Sequence, residues 1–277
     1  MESFFLVIAT LCYLSGTIGY FIYLLKDREV LPRISWTLLL VGALFHGAAL
    51  VMRAIGMGHF PVTSIREAIS LFTWVFVVTY LVIQVKLKLR ILGSFVSPLA
   101  VIFMVSSRLL PTQAIRTNGS FRSGWLIAHV SSIFLANALF AMLFSLGIMY
   151  LLQERGIKKK NFGLLYERLP SLDRIDSLAH VCLMAGFPLM TAGLITGFVY
   201  AAMVWRSPWN WDPKEILSVV TWLIYAVLVH ERLTVGWRGR RAAWLAIIGF
   251  SATVLTFILA SLLLAGHHSV ISKNFYG

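Results

Sequence analysis

Apolar runs of about 20 residues recur from one end of this 277-residue chain to the other. Each is long enough to cross a hydrocarbon core of roughly 30 Å. Lipid offers no hydrogen-bond partner to a backbone N–H or C=O, so such runs are viable only as helices or as strands of a closed barrel. The runs show none of the apolar–polar alternation that a membrane barrel needs, which leaves helices. Eight spans are expected, near 3–25, 34–56, 66–85, 91–107, 125–152, 178–203, 215–233 and 242–266. No comparable stretch remains for a globular module, and only 13% of the residues are charged, against about 25% in soluble domains. The expected fold is an all-α polytopic membrane protein in which residues 1–277 form one integral membrane domain of about eight transmembrane helices.

The formal net charge of +13 raises the question of nucleic acid. Its distribution answers no: the basic residues sit in short clusters between apolar runs, the pattern that orients a membrane protein. Lys26, Arg28, Arg33, Lys86, Lys88, Arg90, Arg155, Lys158, Lys159, Lys160, Arg168, Arg174, Arg232, Arg238, Arg240 and Arg241 fall in one set of loops. The opposite set holds only Arg108, Arg116, Arg122, Arg206, Lys214 and Lys273. The richer set is expected in the cytoplasm. Both termini, the loops near 57–65 and 108–124, and loop 204–214 then face outward. Met1–Ser3 carries Glu2 and no basic residue, unlike a cleaved signal peptide, so the first run reads as a retained span. The two cysteines, Cys12 and Cys182, lie inside apolar runs without a CxxC spacing and read as small buried residues. The cytoplasmic segment 153–177 mixes charges of both signs and reads as a solvated, partly helical connector.

Two features depart from a plain bundle. The first is the external loop Trp205-Arg-Ser-Pro-Trp-Asn-Trp-Asp-Pro-Lys-Glu215. Trp205, Trp209 and Trp211 either belong to an interfacial aromatic belt or form a rigid indole surface for a flat apolar ligand. Asp212 and Pro213 suit the cap and first turn of the next helix. The second feature is the set of seven histidines: His46, His59, His129, His180, His230, His267 and His268. An imidazole inside a span is costly and marks a ligand, a relay or a hydrogen-bonded contact. His46 lies among Gly42, Ala43, Gly47, Ala48 and Ala49, where another helix or a planar ligand can approach. His46 and His230, on different spans, are either satisfied polar contacts or a pair of axial ligands to one heme iron. His129 and His268 are expected near the surface that carries the Trp loop, with His59 a third candidate there and His267 an alternative to His268. His180 suits a capping or hydrogen-bonding role. Arg53, two turns beyond His46, either snorkels outward or pairs with a carboxylate such as a heme propionate; Arg206, Arg122 and Lys214 are alternatives for that pairing.

The stretch Trp205–Glu215, continuing to His230, resembles the tryptophan-rich signature of heme-handling proteins, and in its late position is similar to the CcsA (ResC) family of system II cytochrome c biogenesis. His59–Trp74, Trp125–Val130, Gly186–Gly197 and Gly266–Ser269 resemble further segments of that family, so the likeness covers most of the chain from about residue 40. The resemblance implies that His46 and His230 ligate heme within the membrane. It implies that His129 and His268 ligate it at an external site against the loop that holds Trp205, Trp209, Trp211 and Asp212. The implied cofactor is heme b. The implied role is the heme-binding part of a holocytochrome c synthase in a bacterial inner membrane or its equivalent. That role requires a CcsB (ResB)-type partner and the CxxCH segment of apocytochrome c, whose thiols add to the heme vinyl groups. A heme chaperone of CcmC type, or a HemX-like regulator, is the alternative. CcmC proteins carry the loop earlier in the chain, and HemX-like proteins lack it. One departure is Arg206, where the family usually has Gly directly after the first Trp.

Overall fold

The computed structural model describes residues 1–26, 28–110, 123–160, 163–209, 211 and 213–256, and every regular element among them is helical. In chain order these are α1 (Glu2–Leu25), α2 (Val30–Met57), α3 (Ile65–Leu87), a 3-10 turn (Arg90–Leu92), α4 (Gly93–Leu109), α5 (Gly124–Lys158), α6 (Leu164–Arg168), α7 (Leu172–Trp205), α8 (Pro213–His230) and a single π turn (Glu231–Val235). A last helix, α9, occupies described residues 240–256. Seven of these elements are long and apolar enough to cross a membrane: α1, α2, α3, α4 with its 3-10 turn, α5, α7, and α8 with its π turn. The chain is thus a multi-pass, all-α membrane protein. The eighth expected run, 242–266, begins as α9, and its remainder lies outside the described residues.

The helices stop where local chemistry ends them. Gly58 takes the left-handed conformation after α2, with φ of 69°. The Ser64 hydroxyl accepts the Glu67 N–H (3.2 Å) at the start of α3, satisfying one of the N–H groups that a first turn leaves orphaned. Helices α5 and α7 run past the apolar runs that announced them, to Lys158 and back to Leu172. Hydropathy marks the part of a helix that sits in lipid, whereas the backbone ladder continues into water as long as charged ends are paired. Lys158 and Glu154 make such a pair one turn apart (2.6 Å).

Two sub-bundles result. In the first, α2 packs along α1 and α4 packs between α1 and α3. In the second, α5 and α7 form the most extensive helix pair, with α8 laid on α7. Glycines on α7 receive side chains from α5 in strict antiparallel order. An added Cβ at Gly186, Gly193 or Gly197 would meet Phe140, Ile133 or His129 respectively at 2.6–2.7 Å. In lipid, where apolar surface alone drives little association, such small residues let two backbones close. Helix α3 joins the halves against α5; Phe72 and Phe134 meet edge to face at 5.7 Å.

Candidate functional site

The last turns of α7 and the loop that follows carry the tryptophans. Trp205 is the final residue of α7, and Arg206 caps it with φ of 56°. A Cβ in this left-handed conformation costs roughly 1–2 kcal/mol. Arg206 accepts the strain and leaves its side chain exposed. Beyond it, the Ser207 hydroxyl donates to the Trp209 carbonyl (2.7 Å). The chain then folds back, so that the Trp209 ring packs on Phe198 of α7 with centroids 6.0 Å apart. Trp211, again left-handed (φ 57°), stands edge-on to Trp209 at 5.6 Å and is 74% exposed. An indole held by its backbone and left bare on its face is a surface prepared for a flat partner. Asp212, His267, His268 and Arg122 lie outside the described residues.

His129, one turn into α5, faces the same stretch of α7. Its Nδ1–H donates to the Gly193 carbonyl (2.7 Å), and its Nδ1–Cε1 edge lies where a Cβ of residue 197 would be. A carbonyl can only accept, so the bond places the proton on Nδ1 and leaves Nε2 with its lone pair. A ring tethered through one nitrogen to a backbone carbonyl, with the other nitrogen free, is the arrangement in which imidazole ligates a metal. Gly197 precedes Phe198 directly, and neighbouring helical residues differ by only about 1.5 Å in axial position. Trp209 and His129 therefore reach α7 at one level, on faces about 100° apart. The loop and His129 make one locality.

His46 is held differently. It is fully buried, with Nδ1 hydrogen-bonded to the Tyr13 hydroxyl (3.3 Å) and Nε2 to the Ser70 hydroxyl (2.9 Å). The ring thus bridges α1, α2 and α3. Nearby, the Trp74 indole donates to the Ala43 carbonyl (2.9 Å) and fills the space beside Gly47. His230, at the end of α8, is exposed. His46 lies about 16 Å from the loop end of α2 and His230 about 25 Å from the start of α8. The main packing of α2 is with α1 and α3, and that of α8 is with α7. His46 and His230 therefore sit in different sub-bundles at depths about 9 Å apart.

Arg53 is engaged within the protein. Its Nε–H and Nη2–H donate to one oxygen of Glu67 (3.0 and 2.7 Å), and Glu2 stands 3.6 Å away. The other Glu67 oxygen accepts the Thr63 N–H and hydroxyl (2.9 and 2.7 Å). Glu2, Arg53 and Glu67 line a cleft of about 170 Å³ at the loop end of α1–α4, with Ser70 among its walls. His59 donates through Nδ1 to the Phe60 carbonyl (3.0 Å). His180 accepts an Arg232 N–H (3.1 Å), a hydrogen-bonding role.

Five contributing residues were not among the sequence candidates. Glu67 was visible in the Ser64-Ile-Arg-Glu67 spacing, a capping-box signature. Gly193 and Gly197 were visible as a GxxxG pair. Tyr13 and Ser70 carried no local signal, because only tertiary packing brings them to His46.

The family described as "Cytochrome C assembly protein" matches residues 62–268. A cytochrome c biogenesis protein CcsA of Prochlorococcus marinus (strain NATL1A) is 31% identical over 255 residues, covering 82% of this chain and 81% of its own. Another CcsA, of Synechococcus sp. (strain RCC307), is 30% identical over 269 residues, covering 88% and 86%. Among solved structures, the cytochrome c heme lyase CcmF shares the fold, with a TM-score of 0.67 at 15% identity over 93% of this chain; the chain spans 46% of that protein's length.

Proposed function

This chain belongs to the CcsA family of cytochrome c assembly proteins, and on that premise we propose that it binds heme where the Trp loop meets α5 and α7 and presents it for covalent attachment to apocytochrome c. The observation that carries the reading is the His129 imidazole. Its Nδ1–H is tied to Gly193, its Nε2 has no hydrogen-bond partner among the described residues, and it lies at the level where Trp209 folds onto α7.

The residues fit such a group. His129 would hold the iron through Nε2, with His268 proposed as the second ligand. Trp209 and Trp211 supply indole surface, and Arg206 supplies a cation for a propionate. His46 and His230 are proposed as ligands on the intramembrane route. At His46, Nε2, hydrogen-bonded to Ser70, would be the nitrogen that holds the iron, and Tyr13 would orient the ring through Nδ1. Heme b is the form proposed, since its two vinyl groups accept the thiols of a CxxCH segment, each S–H adding across one C=C bond. The chain's own part is to hold iron and orient the ring. Residues 1–277 act as one membrane domain with a CcsB-type partner, in a bacterial inner membrane or its equivalent, with the Trp loop and both termini on the outer side.

The test is absorption spectroscopy on protein purified from heme-replete cells, as wild type and as His129→Ala, His46→Ala and His230→Ala. A bis-imidazole spectrum weakened by each substitution is expected. Colourless wild-type protein sinks the reading, and a His129→Ala variant with an unchanged spectrum removes the external site.

A further inference from the structure

At the end of the bundle opposite the Trp loop, one arginine is buried. Arg232 lies in the π turn directly after α8, with a side chain 5% exposed. Its Nη2–H groups donate to Asp176 Oδ2 (2.6 Å) and to the Asp176 carbonyl (2.8 Å), and its Nε–H donates to His180 Nδ1 (3.1 Å). Asp176 and His180 are one turn apart on α7. The second oxygen of Asp176, Oδ1, accepts the N–H of Gly239 (3.0 Å), which sits just before α9. One carboxylate therefore ties α7 to the end of α8 and the start of α9.

Desolvating an ion pair costs several kcal/mol per ion, so a buried pair is weak evidence for stability. Here it has a geometric consequence. Helix α8 is the most lightly buried of the seven described spans, with 22% of its apolar window inside. Its packed stripe is narrow: Thr221, Tyr225 and Leu228 are buried, and Tyr225 stacks on Phe140 with centroids 3.6 Å apart. Two polar pins add to that packing: Trp222, whose Nε1–H donates to Thr191 (2.9 Å), and Arg232, about 15 Å further along. His230 is two residues before the second pin. Residues two apart on a helix project about 200° apart, so an Arg232 locked onto α7 turns His230 to the opposite, exposed face. The backbone between them and Gly236 widens into a π turn, a conformation that is uncommon and recurs at functional sites.

We infer that Asp176 and Arg232, with His180, are positioning residues that set the direction of His230 for ligation. The inference rests on the reading of His230 as an intramembrane heme ligand. Three full-length single variants, Asp176→Asn, Arg232→Lys and His230→Ala, are purified from heme-replete cells alongside the double variant Asp176→Asn/His230→Ala. Each is measured for heme per protein and for its absorption spectrum, with and without added imidazole. Asp176→Asn is expected to lower occupancy of the intramembrane site about tenfold, as loss of an orienting partner does for a metal ligand. Free imidazole is expected to restore the bis-imidazole spectrum, because it needs no helix to aim it. The double variant is expected to lose no more heme than His230→Ala alone.

If His230→Ala loses heme while Asp176→Asn keeps the wild-type amount, the positioning role fails and the ligand reading stands. If Asp176→Asn adds its own loss to that of His230→Ala, or imidazole restores nothing, the cluster is only structural. If His230→Ala keeps the wild-type spectrum, the ligand reading itself fails and carries the positioning role down with it. Should Asp176→Asn not accumulate, Arg232→Lys is judged by the same outcomes, since it keeps the ion pair and loses the contact with His180.

Discussion

Replacing Gly197 with Ala tests the external site through a single methyl group. The new Cβ would stand 2.7 Å from both Cε1 and Nδ1 of His129, where ordinary contact begins at 3.4 Å. The ring must retreat by roughly 0.7 Å, and retreat away from α7 stretches the Nδ1–Gly193 bond from 2.7 Å to beyond the limit of about 3.2 Å for an N–H···O bond. Two costs follow. Overpacking a tight interface costs about 1–3 kcal/mol of stability, and loss of the orienting bond lowers metal affinity about 10–100-fold. Gly186→Ala separates them. Its Cβ would meet the Phe140 ring at the same 2.7 Å in the same α5–α7 interface, with no histidine involved. The gain in helix propensity, about 0.8–1 kcal/mol, is common to both variants and cancels. Melting temperature in detergent, heme content and maturation of a CxxCH reporter with the partner present are the assays. Both variants should melt lower by similar amounts, and only Gly197→Ala should lose heme and reporter maturation as His129→Ala does. Equal heme loss in Gly186→Ala would show that helix spacing, not the seat of His129, controls the site.

Two further outcomes are expected. Arg53→Ala leaves the buried Glu67 carboxylate with only its Thr63 bonds and should destabilise the protein by about 2–3 kcal/mol in detergent unfolding; a variant that unfolds normally but loses heme would return Arg53 to a propionate role. Arg206→Gly removes a side chain from a left-handed cap and should stabilise the protein by about 1 kcal/mol, with an accompanying loss of heme if the guanidinium pairs with a propionate.

Much was legible before any coordinates. Apolar runs at membrane length announced the helices, because backbone polar groups in lipid have no other partners. The crowding of Trp205, Trp209 and Trp211 is a local property, so it too showed in the chain. His129 was singled out by its place beside a span end.

Tertiary structure decided what each imidazole can do. His129 and His46 look alike in sequence, each a histidine within an apolar run. One is tethered by Gly193 across a glycine groove, with Nε2 unpartnered among the described residues, and the other spends both nitrogens on Tyr13 and Ser70. Likewise, Arg53 has no acidic residue on its own helix and is paired only when Glu67 arrives from the next one. Recurring apolar length is a property of the chain alone and determines that it lives in a membrane. The lone pair available for ligation depends on which neighbour meets each ring, and those neighbours lie 24 to 64 residues away in the chain, where only packing brings them together.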